Sequence, residues 1–120
     1  MDQLEALYIE IEGLIEERLG EKGKPFTVGK FSGLGWLDFH YRCSTYEGLY
    51  PRISLKRQAN AVHVYVMHVA YGLLKDYVDI FGKTGIGKGC IRIKKLTPER
   101  HDALLEIVDK VWEGHGNAGK

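Results

Sequence analysis

One hundred and twenty residues, 44% of them hydrophobic and 28% charged, with three prolines, can bury about two thirds of the unfolded surface around one core and leave no room for a second domain. Lys and Arg total 17 against 16 Asp and Glu, a formal charge of +1, so bulk electrostatics draw the chain toward neither nucleic acid nor acidic membranes, and any such partner needs a local patch. Two cysteines, Cys43 and Cys90, without CxxC spacing, exclude a disulfide framework or a zinc knuckle.

The start, Met1-Asp2-Gln3-Leu4-Glu5, has no basic segment ahead of an apolar run, and no stretch reaches the roughly 18 apolar residues of a membrane helix. A cytoplasmic chain with reduced thiols and no membrane partner is expected. Leu4, Leu7, Tyr8, Ile11, Leu14, Ile15 and Leu19 recur every three or four residues and predict an amphipathic helix. Asp2 and Glu5 supply a capping box at its start and Gly20 a C-cap. Glu5, Glu12 and Glu16 fall along one edge of the stripe and Glu10 and Glu17 along the other, which makes the exposed face acidic.

Residues 20 to 35 carry too many glycines for a long element and read as a loop with a short edge strand around Phe26, Val28 and Phe31. From Trp36 the period becomes two. Leu37, Phe39, Tyr41 and Cys43 are expected inward, with Trp36, Asp38, His40 and Arg42 outward. Tyr50 to Arg57 repeats the pattern with Ile53 and Leu55 inward, and Ala61 to His68 does so with Val62, Val64 and Val66 inward. Short connections make these three an antiparallel meander. Ala70, Leu73, Leu74, Tyr77, Val78 and Phe81 predict a middle helix ended by Gly82. A glycine-rich loop to Gly89 and a strand from Cys90 to Leu96 follow, with either edge of the sheet open to that strand. Thr97-Pro98 opens a last helix bearing Leu104, Ile107, Val108, Val111 and Trp112. The expected architecture is α+β: an antiparallel sheet of four to five strands with N-terminal, middle and C-terminal helices on one face. One domain covers 1–113, and 114–120 is a flexible tail.

A turn around Gln58 to Asn60 sets Leu55 opposite Val62, Ile53 opposite Val64, Ser54 opposite His63 and Arg52 opposite Tyr65. The preceding pair sets Arg42 opposite Arg52, His40 opposite Ser54 and Asp38 opposite Lys56. The open face then carries a row of His40, Ser54 and His63 beside a row of Arg42, Arg52 and Tyr65, with Arg92 and Lys94 available from the last strand. Histidines on alternate strands stand about 10 Å apart, too far for one metal ion held at about 2 Å. Facing arginines repel unless an anion, or a carboxylate such as Glu47, relieves them. An anion-binding face is the sharper expectation.

Gly82-Lys83-Thr84-Gly85-Ile86-Gly87-Lys88 has the spacing of a phosphate-binding P-loop, but Gly89 stands where a Ser or Thr would hold Mg²⁺, and the loop leaves a helix rather than opening one. Lys83 and Lys88 remain candidates for simple anion contact. No His or Asp is spaced to make Cys90 a nucleophile. The carboxylates Glu5, Glu12 and Glu16 are chemically suited to share a weakly bound, hydrated hard cation such as Fe²⁺.

The runs Phe39-His40-Tyr41-Arg42, Glu47-Gly48 with Pro51, Lys56-Arg57-Gln58, Val64-Tyr65-Val66-Met67, Gly82-Lys83, Gly87-Lys88-Gly89-Cys90-Ile91 and Lys94-Lys95-Leu96 resemble the YdhG-like domain-of-unknown-function family over roughly residues 31 to 112. The resemblance implies a frataxin-like sandwich, with Tyr41, Arg42, Lys83, Lys88 and Cys90 at family-typical positions. It also implies one of two activities: some members are described as frataxin-like iron chaperones, and the neighbouring YjbR-like branch as double-wing DNA-binding proteins. The expectation is a small non-enzymatic binding domain that handles iron on its acidic first helix. The alternative is binding of nucleic acid or a small anionic ligand by His40, Arg42, Arg52, His63, Tyr65, Lys83, Lys88 and Arg92. The ligand and the oligomeric state stay open.

Overall fold

The computed structural model describes residues 2–28, 31–42, 44, 47–66, 74–87 and 89–118, with Val28, Phe31 and 114–118 in backbone only. Helix α1 (Gln3–Leu19) leads into β1 (Lys24–Val28), β2 (Phe31–Arg42), β3 (Glu47–Arg57) and β4 (Val62–Val66). A 3₁₀ turn (Lys75–Tyr77) runs into α2 (Val78–Phe81), followed by β5 (Cys90–Ile93) and α3 (Pro98–Ala118). The sheet is antiparallel throughout, in the order β1-β2-β3-β4-β5, so the last strand joins the β4 edge. The expected residues Cys43, 67–73 and Lys88 lie outside the described set.

Local signals act where the sequence places them. Asp2 Oδ1 accepts the Glu5 N–H at 2.7 Å, and Gly20, at φ 66°, closes α1 by donating its N–H to the Glu16 carbonyl at 2.9 Å. Glu5 does not complete the capping box, because its carboxylate turns to Arg57 Nη1 at 2.7 Å. Thr97 Oγ1 accepts the Arg100 N–H at 3.2 Å, capping α3 with Pro98 in its first turn. The α3 backbone continues past Gly114, where the sequence suggests the domain's end.

All three helices lie on one side of the sheet. Leu7, Ile11, Ile15 and Leu19 of α1 and Leu104, Ile107, Val108 and Val111 of α3 meet Ile53, Leu55, Val62, Val64, Ile91 and Ile93 in one core. Leu74, Tyr77 and Phe81 fill the end nearest β5. Apolar burial at about 25 cal/mol per Å² is what holds these layers together.

Strand β2 departs from the expected alternation. Trp36, expected in water, is fully buried, because the true register pairs it with Ile53 and pairs Leu34 with Leu55. The β2–β3 pairing differs from the expected one by an odd number of residues, and with a side-chain period of two this swaps the faces. Leu37 then breaks the alternation. It takes φ 60°, is skipped by the ladder opposite Arg52, and is itself buried. A left-handed leucine costs about 1–2 kcal/mol, and Glu21 Oε2 holds its amide at 3.1 Å.

Beyond that break the hairpin curls back over the side away from the helices. Pro51 pairs with Asp38 in the ladder, yet its Cβ lies 2.6 Å from where a Cβ on Gly35 would sit. Phe39 and Tyr41, expected in the core, instead stack with Tyr50 and Phe26 on that outer side, at ring separations of 5.5 to 6.2 Å. The β3–β4 register is also two residues from the expected one. Ile53 faces Val66 and Leu55 faces Val64, because Gln58 donates to the Ala61 carbonyl at 2.9 Å across a two-residue turn. An even shift leaves the faces unchanged.

Gly35 is therefore fixed by space and Gly13, on an exposed turn of α1 with nothing within 4 Å of its would-be Cβ, is not. Gly35→Ala is expected to destabilise the fold by about 1–3 kcal/mol, and Gly13→Ala to stabilise it by about 0.5–1 kcal/mol. Urea unfolding followed by circular dichroism checks both; equal effects at the two sites would contradict the curled hairpin.

A cationic cleft at the β3–β4 turn

The eight sheet-face and loop candidates do not gather into one surface. His40 and Arg42 are exposed at the far end of the curled hairpin. There His40 Nε2 lies 3.5 Å from Glu47 Oε2, and Arg42 pairs across the ladder with Glu47 rather than with Arg52. Arg52, expected in water, is only 8% exposed. Its guanidinium carbon sits 4.1 Å above the Phe39 ring, its Nε has no hydrogen-bond partner among the described residues, and burial pushes its pKa down. A cation–π contact compensates part of that desolvation. Lys83 is exposed in the turn after α2, and Lys88 lies outside the described residues.

His63, Tyr65 and Arg92 do come together. The register sets Lys56 opposite His63 and His63 opposite Arg92, a row across β3, β4 and β5 on the sheet side away from the helices. The His63 Nδ1 is 3.2 Å from the Tyr65 hydroxyl, which also receives the Gln58 Nε2–H at 3.4 Å. This chain of contacts fixes the imidazole. Burial, with the Arg92 charge adding to it, holds the His63 imidazole below its usual pKa.

Between this row, the turn at Gln58–Ala61 and the loop after α2 lies a cleft of about 600 Å³. Its charged walls are Arg92, Lys94 and Arg100, with His63 beside them, and among the described residues no carboxylate lines it. Arg92 Nη1 donates to the Thr84 carbonyl at 2.9 Å, while the Arg92 and Gly85 backbones pair at 2.7 Å. Arg100 donates from Nε to the Ile80 carbonyl at 3.1 Å and from Nη1 to the Lys95 carbonyl at 3.0 Å.

Elsewhere the arginines are held differently. Arg18 Nε binds Asp109 Oδ1 at 2.8 Å, and Arg57 binds both Asp2 and Glu5 at 2.7 Å. A carboxylate orients a guanidinium and also neutralises it; a carbonyl only orients it. The cleft arginines are thus positioned with their charge uncancelled by any described side chain. The Tyr77 hydroxyl, 2.6 Å from Glu106 and 3.0 Å from Lys110 Nζ, forms another polar group, but its charges balance internally.

The acidic helix offers less convergence. Glu5 is engaged by Arg57, Glu16 Oε2 accepts the Gly23 N–H at 2.8 Å, and Glu12 is half-buried with its pKa raised by desolvation and by Glu16. Among the described residues no three His, Cys, Asp or Glu side chains are placed to hold a metal ion, and no helix is long and apolar enough to cross a membrane.

His63, Tyr65, Arg92 and Lys94 are legible as candidates in the sequence; Arg100, Gln58, Asn60 and Thr84 are not. Arg100 follows Thr97-Pro98-Glu99 in a helix first turn, a position that ordinarily faces water, and nothing local marks it. No family model, no curated protein and no solved structure matches the chain.

The depressed pKa of His63 has a thermodynamic consequence. The unfolded chain, with an imidazole pKa near 6.5, takes up the proton first as pH falls. Stability that is full above about pH 6.5 is then lost down to the lower folded pKa. Urea midpoints measured from about pH 7.5 to about pH 5 should fall less steeply in His63→Gln than in the parent chain.

Proposed function

We propose that this chain is a binding domain for a small anion, captured in the cleft between the β3–β4 turn, β5 and the loop after α2. The observation that carries this reading is the manner in which Arg92 and Arg100 are held: each guanidinium is aimed by backbone carbonyls, and Lys94 adds a third charge with no carboxylate among the described lining residues. Three uncompensated cations sharing one concavity repel each other, and a bound anion relieves that repulsion while accepting charge-assisted hydrogen bonds.

The volume, about 600 Å³, lies within the roughly 300–1,000 Å³ of small-molecule sites. A YdhG-like membership fits this proposal as well as it fits the iron reading, since the blocks that carry the resemblance include Lys56-Arg57-Gln58 and Lys94-Lys95-Leu96 at the cleft's margins. For iron on the acidic helix the support is chemical: Glu12 and Glu16 are neighbouring carboxylates one helical turn apart. For nucleic acid, a formal charge of +1 gives little footprint beyond the cleft itself.

Titration with inorganic phosphate and with citrate, followed by amide chemical shifts, tests the proposal. The amides of His63, Gly85 and Arg92 should move together and saturably. Arg92→Gln combined with Lys94→Gln should weaken binding by at least about tenfold, since each charged hydrogen bond contributes about 1.5–3 kcal/mol. Shifts scattered over the surface, or unchanged affinity in the double variant, would reject the cleft as the site.

A further inference from the structure

We infer that the ligand of this cleft is a phosphomonoester carrying a small polar organic body, an inference that rests on the anion-binding reading and narrows it. The first ground is charge and donor count. A phosphomonoester brings about −1.5 to −2 charge at pH 7 and three acceptor oxygens, where a single carboxylate brings one charge and two. After donating Nη1 to Thr84, Arg92 keeps its Nε and Nη2 edge unengaged among the described residues, Lys94 is exposed, and Arg100 keeps Nη2. These are enough donors for a three-oxygen head and more than a carboxylate can use. A guanidinium fork also matches phosphate geometry with two parallel bonds.

The second ground is the space that remains. About 600 Å³ is some twenty times the roughly 30 Å³ a water occupies in the liquid, so a bare phosphate ion would leave most of the cleft filled with solvent. The rest of the wall is of a different character from the cationic end. Ala61 and Phe81 are buried and apolar, while Gln58 and Asn60 bring amide groups at the turn. Amides that donate and accept suit hydroxyls or ring nitrogens, and the apolar floor suits the carbon frame beneath them. The head is therefore assigned to the β5 side and the body to the β3–β4 turn.

The third ground is preorganisation. The Gln58–Tyr65–His63 chain ties the turn to the β4 side chain facing Arg92, and Gly87 leaves room for the Arg92 guanidinium, whose Nη2 would lie 2.9 Å from a Cβ at that position. Head and body subsites are thus mechanically joined through two short strands, and little ordering remains to be done when the ligand enters.

Calorimetric titration of the full chain with ribose 5-phosphate, inorganic phosphate and citrate provides the test. Ribose 5-phosphate should bind at least about tenfold more tightly than inorganic phosphate, and citrate more weakly than ribose 5-phosphate. Asn60→Ala, at an exposed turn residue, should shrink the preference for ribose 5-phosphate over phosphate severalfold while leaving phosphate binding in place; Lys94→Gln should weaken both. Thermal melts of each variant confirm folding. Citrate binding as tightly as ribose 5-phosphate would overturn the phosphomonoester assignment and leave anion binding standing, whereas no binding of any of the three would overturn both. Tight binding of a single-stranded oligonucleotide that is indifferent to Lys94→Gln would also overturn the assignment.

Discussion

The register of β4 between β3 and β5 is the constraint on which the rest depends. Val62, Val64 and Val66 must face the helices, and their ladder partners Ile93, Ile91, Leu55 and Ile53 must face the same way, because each is almost wholly removed from water. With a side-chain period of two, that burial leaves no freedom for the residues between them. Lys56, His63 and Arg92 are forced into one row on the opposite side, and the cationic cleft begins at that row. Core packing thus places the charges, although none of the charged groups contributes to the core.

What distinguishes these charges from others in the molecule is the partner that holds them. Arg18 and Arg57 tie helices and strand together through carboxylates, and solvent screens such exposed pairs. Arg92 and Arg100 instead satisfy carbonyls of α2, of the loop after it and of the segment before α3. Those carbonyls need donors wherever they are shielded from water, so the same bonds close the chain around the cleft and keep its charge available. The contacts that close the chain here are the same ones that leave the guanidinium charges uncancelled by any described side chain.

The curled β2–β3 hairpin makes the outer surface much smaller than a flat sheet would offer. Leu37 in a left-handed conformation, Glu21 on its amide and Pro51 pressed to Gly35 go with an aromatic cluster whose Phe39 ring covers the buried Arg52. A broad basic face spanning three strands is thereby divided. Its outer end carries His40, Arg42 and the acidic Glu47; its inner end carries Arg92 and Lys94.

Much of the fold was legible in the residue pattern: the two long helices and their caps at Asp2, Gly20 and Thr97, the antiparallel meander, and the inward set from Ile53 to Val66. Those signals are local or strictly periodic, and helix capping and alternation act within a few residues. Pairing between strands is different. That Trp36 and its neighbour Leu37 both bury depends on the β2–β3 register and on one left-handed residue, and simple alternation allows only one of the two inside. The site divides the same way. His63 and Arg92 follow from alternation along their strands, so the sequence alone could place them on the outward side. Arg100 reaches the cleft because α3 starts beside α2, whose Ile80 carbonyl it binds across twenty residues of chain. Such proximity is set by how the helices pack on the sheet, and no periodicity within either segment encodes it.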